Sequence, residues 1–166
     1  MINTFSRIEL HKEDMKFSAG HFTIFSDTER ENLHGHNFFL HAAFVSKKTQ
    51  QGLSFDYRFY KEKLRAICKQ IDEVVIMPGL SQHISISETN THYEVIFNKE
   101  KMHFLKRDMI VLPITNVTVE ELSGWFIQQL TVDRQQLLDN QITAIHVKIQ
   151  SSPGQSGESS WELINE

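Results

Sequence analysis

The sequence predicts an α+β domain with a mainly antiparallel sheet and helices packed on one face. Three observations predict it. Apolar residues alternate at period two in residues 5–10, 16–25, 38–45 and 142–150, as half-buried strands require. Two other stretches, residues 57–71 and the run from Val119, carry apolar residues at three- and four-residue spacing, the period of an amphipathic helix. The order is strand, strand, helix, hairpin, helix, strand, with helices set among strands that need only short connections.

Each element has its own signal. Residues 5–10 alternate moderately, and residues 16–25 follow after the charged turn Lys12-Glu13-Asp14. A polar loop covers residues 26–32. In residues 38–45, Phe38, Leu40, Ala42 and Phe44 share one face, while Phe39, Ala43 and Val45 share the other with His41. Two apolar faces predict burial on both sides. Tyr60, Leu64, Ile67, Cys68 and Ile71 form one face of the first helix, which makes Cys68 a buried core thiol. Pro78-Gly79 marks a turn. Residues 93–97, the turn Asn98-Lys99-Glu100 and residues 102–105 predict a hairpin, with Met109 to Leu112 beyond it. Thr118-Val119-Glu120-Glu121 fits a capping box, Thr118 as N-cap and Glu121 as its partner. Val119, Leu122, Phe126 and Leu130 make that helix's apolar face. Ile145, Val147 and Ile149 line one side of the strand at 142–150. Residues 151–160 are rich in Ser and Gly, and Trp161-Glu162-Leu163 predicts a last short strand.

Composition bounds the function. The chain has 166 residues, 40% hydrophobic and 23% charged, which suits one domain over 1–166 with a core of its own. No apolar run approaches the ~20 residues of a membrane span, and Met1-Ile2-Asn3-Thr4 lacks the features of a leader. Cys68 is the single cysteine, which excludes an internal disulfide and a multi-cysteine metal site. A net charge of −4 gives no basic surface for nucleic acid. The expectation is a cytoplasmic protein that binds neither nucleic acid nor membrane.

Nine histidines remain to be explained. His34-Gly35-His36 sits at the start of a predicted strand, where residues two apart face the same way. His21, on a neighbouring strand, can complete a set of three imidazoles. Three such ligands and an open fourth position make a catalytic zinc site. Taken alone, a His-x-His pair is also an ordinary pattern on exposed strands.

Phe17-Ser18-Ala19-Gly20-His21 and Leu33-His34-Gly35-His36-Asn37-Phe38 resemble the signature of the 6-pyruvoyl-tetrahydropterin and 6-carboxy-tetrahydropterin synthase family. Further matches follow in order: Gly52-Leu53-Ser54-Phe55-Asp56-Tyr57, Ile71-Asp72, the segment from Leu112 to Glu120, and Ser152-Pro153-Gly154-Gln155. The resemblance implies a tunnelling fold, a four-stranded antiparallel sheet with two helices on one face, here with an inserted β-hairpin. It implies zinc at His21, His34 and His36, active sites at subunit interfaces, and assembly as a homotrimer or homohexamer. It also implies a lyase acting on dihydroneopterin triphosphate or a related pterin-like substrate.

The chain departs from the family at three points. The family's catalytic Cys, four residues before His34, is Arg30; Glu31 can substitute, since some members use a Glu close to this position. The Asp-His pair after the first helix is Asp72-Glu73. The Glu that holds the pterin's guanidine-like edge from the last strand is Gln150, which offers one donor and one acceptor where a carboxylate offers two acceptors. Glu31, Asp72 and Glu73 are therefore the catalytic candidates, and Thr118, Glu120 and Gln150 the substrate-binding ones. Each has a plainer reading: Thr118 as helix cap, Glu31 as solvated loop charge, Asp72 and Glu73 as helix-end residues. An alternative to catalysis is a zinc- and pterin-binding homologue that has lost the chemistry.

Overall fold

A computed structural model describes residues 4–49 and 52–163. Met1, Ile2 and Asn3, on which the expectation of no leader partly rests, lie outside the described residues. The chain folds around one long strand, β3 (His34–Lys47). Against one edge of it pair β1 (Phe5–Leu10) and β2 (Lys16–His21), both antiparallel. β1 meets residues 42–47 of β3 and β2 meets residues 34–39, so the two act as a single strand interrupted by the charged turn. On the other edge β9 (Ile142–Ser152) pairs with β3, and β10 (Gln155–Glu162) pairs with β9.

These strands account for the four expected, but the sheet holds seven. β4 (Val74–Pro78) and β8 (Met109–Leu112) extend it beyond β2 in parallel pairing. Pro78-Gly79 signals only a turn in the sequence, and β4 is not predicted there, because a short apolar run has no period of its own. β2 ends at His21, four residues before the predicted end. The hairpin is present as β6 (His92–Phe97) and β7 (Glu100–Leu105), joined through Asn98 and Lys99 at positive φ, as tight hairpin turns require. β5 (Ile84–Glu88) adds a third strand to it. This small sheet has its own apolar cluster of Phe22, Ile24, Met77, Val95, Phe97 and Met109.

α1 (Tyr57–Gln70) starts at Asp56, whose carboxylate accepts the Arg58 N–H, and it buries Tyr60, Leu64, Ile67 and Cys68. α2 (Val119–Thr131) starts at Thr118, whose hydroxyl accepts the Glu121 N–H at 3.3 Å. The capping box is only half formed, because the Glu121 carboxylate accepts the Thr115 N–H at 2.7 Å instead of reaching back to Thr118. α2 lies so close on β10 that a Cβ at Gly157 would stand 2.9 Å from Val119 Cγ2. A short α3 (Arg134–Asp139), capped by Asp133, was not foreseen.

Phe38, Leu40, Ala42 and Phe44 are buried against the helices together with Ile145, Val147 and Ile149 of β9. The opposite face of β3 is covered only in part: Ala43 is buried, His41 and Val45 are half-buried, and Phe39 is 40% exposed. The expected burial on both sides therefore fails at Phe39. No helix among the described residues is long and apolar enough to cross a membrane.

Candidate active site and metal centre

β2 and β3 pair so that His21 stands opposite His34, and Ala19 opposite His36. Alternation then puts all three imidazoles on the face that carries Phe17 and Phe38. The Phe38 ring touches both His21 and His36, at centroid distances of 5.5 and 5.6 Å. One ring nitrogen from each histidine lies within 4.8 Å of the other two.

The hydrogen bonds fix which nitrogen each ring offers. His21 Nδ1 is 3.0 Å from the Val117 carbonyl, and His34 Nδ1 is 2.8 Å from the Asn32 carbonyl. A carbonyl can only accept, so both Nδ1 atoms carry the proton and both Nε2 atoms present lone pairs. His34 Nε2 and His36 Nε2 are 3.1 Å apart. Two nitrogens on one tetrahedral zinc, each at 2.0–2.1 Å, would stand about 3.3 Å apart. His21 Nε2 is buried and has no partner among the described residues. A buried lone pair without a donor is costly, and a cation held by the three rings would satisfy it. Burial holds the His21 pKa below the ordinary imidazole range, the Val117 contact and Glu31 opposing and the other two rings assisting. A neutral imidazole is the form that binds metal. The donor set therefore fits zinc.

Glu31 borders this cluster. The backbones of Thr23 and Glu31 meet at 2.9 Å, and the Glu31 carboxylate accepts the Thr23 N–H at 2.9 Å. Burial pushes the carboxyl pKa up, but hydrogen bonds from Thr23 and the fields of His34 and His21 outweigh it, and the net shift is downward. Glu31 is thus held ionised beside the rings.

Arg30, in the family's cysteine position, points elsewhere. Its guanidinium stacks on Phe22 at 4.7 Å and Phe97 at 5.5 Å, and reaches Glu100 at 3.2 Å. It braces the small sheet against the loop.

The other candidates are dispersed. The Asp72 carboxylate accepts the Ser18 N–H at 2.8 Å, and the Glu73 N–H donates to the Ser18 carbonyl at 2.7 Å. Glu73, at φ 59°, lines a groove of about 510 Å³ with Ser18, Gly20, Gly35, Asn37 and Asp108, which also reaches His36. Thr118 caps α2, and Glu120 is exposed in its first turn. Gln150 pairs with Phe39, so alternation sets it on the sheet face away from the imidazoles. The strand residue on the imidazole side is its neighbour Ser151.

Sequence reasoning missed the groups that aim the rings. The Val117 and Asn32 carbonyls carry no side-chain signal. Asn116 does have one, in the Asn-x-Thr segment. Its amide accepts the Ile24 and Val117 N–H groups and donates to the Ile24 carbonyl, which pins the loop before α2 to the segment after His21.

Similarity to known proteins runs over most of the chain. The family model described as 6-pyruvoyl tetrahydropterin synthase matches residues 9–160. A Methanocaldococcus jannaschii protein, provisionally named a 6-carboxy-5,6,7,8-tetrahydropterin synthase, is 22% identical over 142 residues, 85% of this chain and 86% of that one. The Plasmodium vivax 6-pyruvoyltetrahydropterin synthase superposes with a TM-score of 0.90 at 26% identity, covering 96% of this chain and 99% of that chain. Two further structures of that enzyme carry its catalytic residue, a glutamate, replaced by cysteine or alanine. The Plasmodium falciparum 6-pyruvoyl tetrahydropterin synthase shares the fold, with a TM-score of 0.90 at 24% identity over 97% of this chain and 100% of that one.

Proposed function

The chain belongs to the 6-pyruvoyl tetrahydropterin synthase family, and from that premise we propose that it is a zinc-dependent carbon–oxygen lyase acting on dihydroneopterin triphosphate or a related pterin. The observation that carries the proposal is the ionised Glu31 beside three imidazoles, one of which has a buried nitrogen without a partner.

His21, His34 and His36 would hold the metal, which when bound supplies a Lewis acid that polarises oxygens of the substrate side chain. The Val117 and Asn32 carbonyls keep two of these rings in the ligating tautomer. Glu31 is the general base, its carboxylate aimed by the Thr23 N–H. The Plasmodium vivax enzyme, whose catalytic residue is a glutamate, supports that assignment. Asp72 positions the Ser18 backbone and, with Glu73 beside it, forms the proposed proton relay. Glu120 and the capped start of α2 meet the substrate from the helix side. Assembly into a trimer or hexamer covers the exposed face around Phe39 and pairs the edges of β8 and β10.

A second reading, zinc and pterin binding without turnover, draws on the Asp72 carboxylate, which is already engaged by Ser18, and on Glu73 in place of a histidine. One experiment separates the two. Zinc content and triphosphate release from dihydroneopterin triphosphate are measured for the wild type, Glu31→Gln and Glu31→Ala. The lyase reading expects about one zinc per chain throughout and a loss of turnover of about 10²–10⁴-fold in both variants, the usual weight of a general base. Turnover that survives in Glu31→Ala removes Glu31 from the mechanism. Bound zinc with unchanged substrate in the wild type leaves the non-catalytic reading.

A further inference from the structure

We propose that the β6–β7 hairpin is a positioning element for the general base: Phe97 and Glu100, the pair that closes its turn, hold the Arg30 guanidinium on the Glu31 carbonyl and so keep the Glu31 carboxylate beside the imidazoles. The inference deepens the lyase reading above and rests on it.

Arg30 occupies a slot built from two distant parts of the chain. Its guanidinium lies 4.7 Å from the Phe22 ring and 5.5 Å from the Phe97 ring, and both rings are buried. One Nη donates to the Glu31 carbonyl at 2.8 Å, and the other donates to the Glu100 carboxylate at 3.2 Å. Phe97 and Glu100 are cross-strand partners on either side of Asn98-Lys99, so their side chains share a face. Phe22 directly follows the candidate ligand His21, and Arg30 pairs with Ile24 in an isolated bridge. The guanidinium thus ties the hairpin both to the segment after His21 and to the backbone of Glu31.

That tie completes the fixing of Glu31. The Glu31 N–H donates to the Thr23 carbonyl at 2.9 Å, and the Glu31 carboxylate accepts the Thr23 N–H at 2.9 Å. The Glu31 carbonyl is the remaining backbone group, and Arg30 takes it. Any turn of this backbone that swings the carboxylate off Thr23 therefore also breaks a bond to a charged donor, the stronger kind. Burying a cation in this slot carries a desolvation cost. The Arg30 side chain is 17% exposed, its partner Glu100 is 65% exposed, and Arg30 Nε is buried with no acceptor among the described residues. A methionine would fill the space between the two rings without burying a charge. What methionine cannot do is donate to the Glu31 carbonyl.

The test compares zinc-loaded wild type with Arg30→Met, Phe97→Leu, Glu31→Ala and the Arg30→Met/Glu31→Ala double variant. It reads triphosphate release from dihydroneopterin triphosphate, and amide hydrogen exchange by mass spectrometry. Arg30→Met should lower kcat about 10–100-fold, the effect of a misplaced catalytic group, while KM and zinc content stay within about two-fold of wild type. Phe97→Leu, which removes one ring from the stack, should lower kcat about two- to five-fold, the weight of one cation–π contact. In the Glu31→Ala background Arg30→Met should add less than about two-fold, because a residue that acts through another has no effect once the other is gone. Exchange over residues 22–31 should quicken about five-fold in Arg30→Met and less in Phe97→Leu, as for the loss of one hydrogen bond, with α1 unchanged as the internal control. Wild-type kcat in folded Arg30→Met, equal losses from Arg30→Met in the two backgrounds, or Phe97→Leu with wild-type kcat and exchange would overturn the proposal. Failure of the lyase reading looks different. If the wild type releases no triphosphate while Arg30→Met and Phe97→Leu quicken exchange over residues 22–31, the hairpin holds Glu31 in place and the reaction assigned to the site is wrong. If there is neither turnover nor a change in exchange, both proposals fall.

Discussion

His21 Nδ1 donates to the Val117 carbonyl at 3.0 Å, a contact between residues 96 positions apart. It ties the orientation of one candidate ligand to the loop that enters α2. Val117 is fully buried, and its own N–H is taken by Asn116. The ring is therefore aimed by backbone, and that backbone is fixed by one asparagine side chain.

Asn116→Ala should accordingly weaken the metal site without touching a ligand. The change removes three hydrogen bonds and strands the Ile24 and Val117 backbone groups. Destabilisation of about 1–3 kcal/mol is expected from leaving such groups unpaired. Zinc affinity should fall about 10–100-fold, as for other outer-shell partners. Competition with a chromophoric chelator, together with urea unfolding, reads the two effects separately. Unchanged zinc affinity would mean that His21 is aimed by strand geometry alone.

Metal should stabilise the fold through the three imidazoles. Binding to the native state alone adds RT ln(1 + [L]/Kd), about 2.7 kcal/mol at a hundredfold excess over Kd. Zinc should raise the melting temperature of the stripped protein, and His36→Ala should abolish most of that rise. His36 is the ligand to alter because its ring nitrogens, unlike those of His21 and His34, are not bonded to a backbone carbonyl that would be orphaned. A zinc-dependent rise that persists in His36→Ala would place the ion elsewhere.

The imidazole set was legible in the sequence because strand alternation needs only local information: His34 and His36 are two apart, and the Phe17–His21 run repeats the same alternation. The helices were legible from their period, and the start of α2 also from Thr118; the Asp56 cap of α1 appears only in the structure. What was not legible depends on pairing between distant segments. β4 exists because Val74 and Val75 meet Ala19 and Gly20, and nothing in five residues announces that. The motif position of Gln150 says nothing about facing. The Phe39–Gln150 pair sets it on the face away from the imidazoles, and a shift of one residue reverses every side chain. Arg30 looked like a lost cysteine, and only its contacts with Phe22, Phe97 and Glu100 show it as a brace.

Restoring the family residue should therefore harm the protein. Arg30→Cys removes two cation–π contacts, each worth about 0.5–2 kcal/mol depending on desolvation, and the tie to Glu100. The Glu100 pair itself adds little, since that carboxylate is largely exposed. The variant should lose about 1–3 kcal/mol in urea unfolding and gain no turnover. Higher turnover in Arg30→Cys would show that a thiol at this position still reaches the substrate.

Cys68 gives a pH dependence whose sign follows from burial. Its thiol is pushed up to about 12, first by desolvation and then by the charges of Asp72 and Asp14, from an ordinary value of 9.0. The unfolded chain begins to lose this proton near pH 9, whereas the native chain keeps it. Between those values the unfolded state binds fewer protons, so stability falls as pH rises, by up to about 1.4 kcal/mol per pH unit from this one group. Well below pH 9, where both states keep the proton, the group contributes no slope. Cys68→Ala removes the component while leaving the tyrosines and lysines that titrate in the same range. The stability difference between wild type and Cys68→Ala, measured by urea unfolding from pH 7.5 to 10.5, should be flat to about pH 8.5 and then move steadily against the wild type. A difference that stays flat throughout would mean that the native thiol ionises as readily as the unfolded one, and that the helix α1 face is open to water at Cys68.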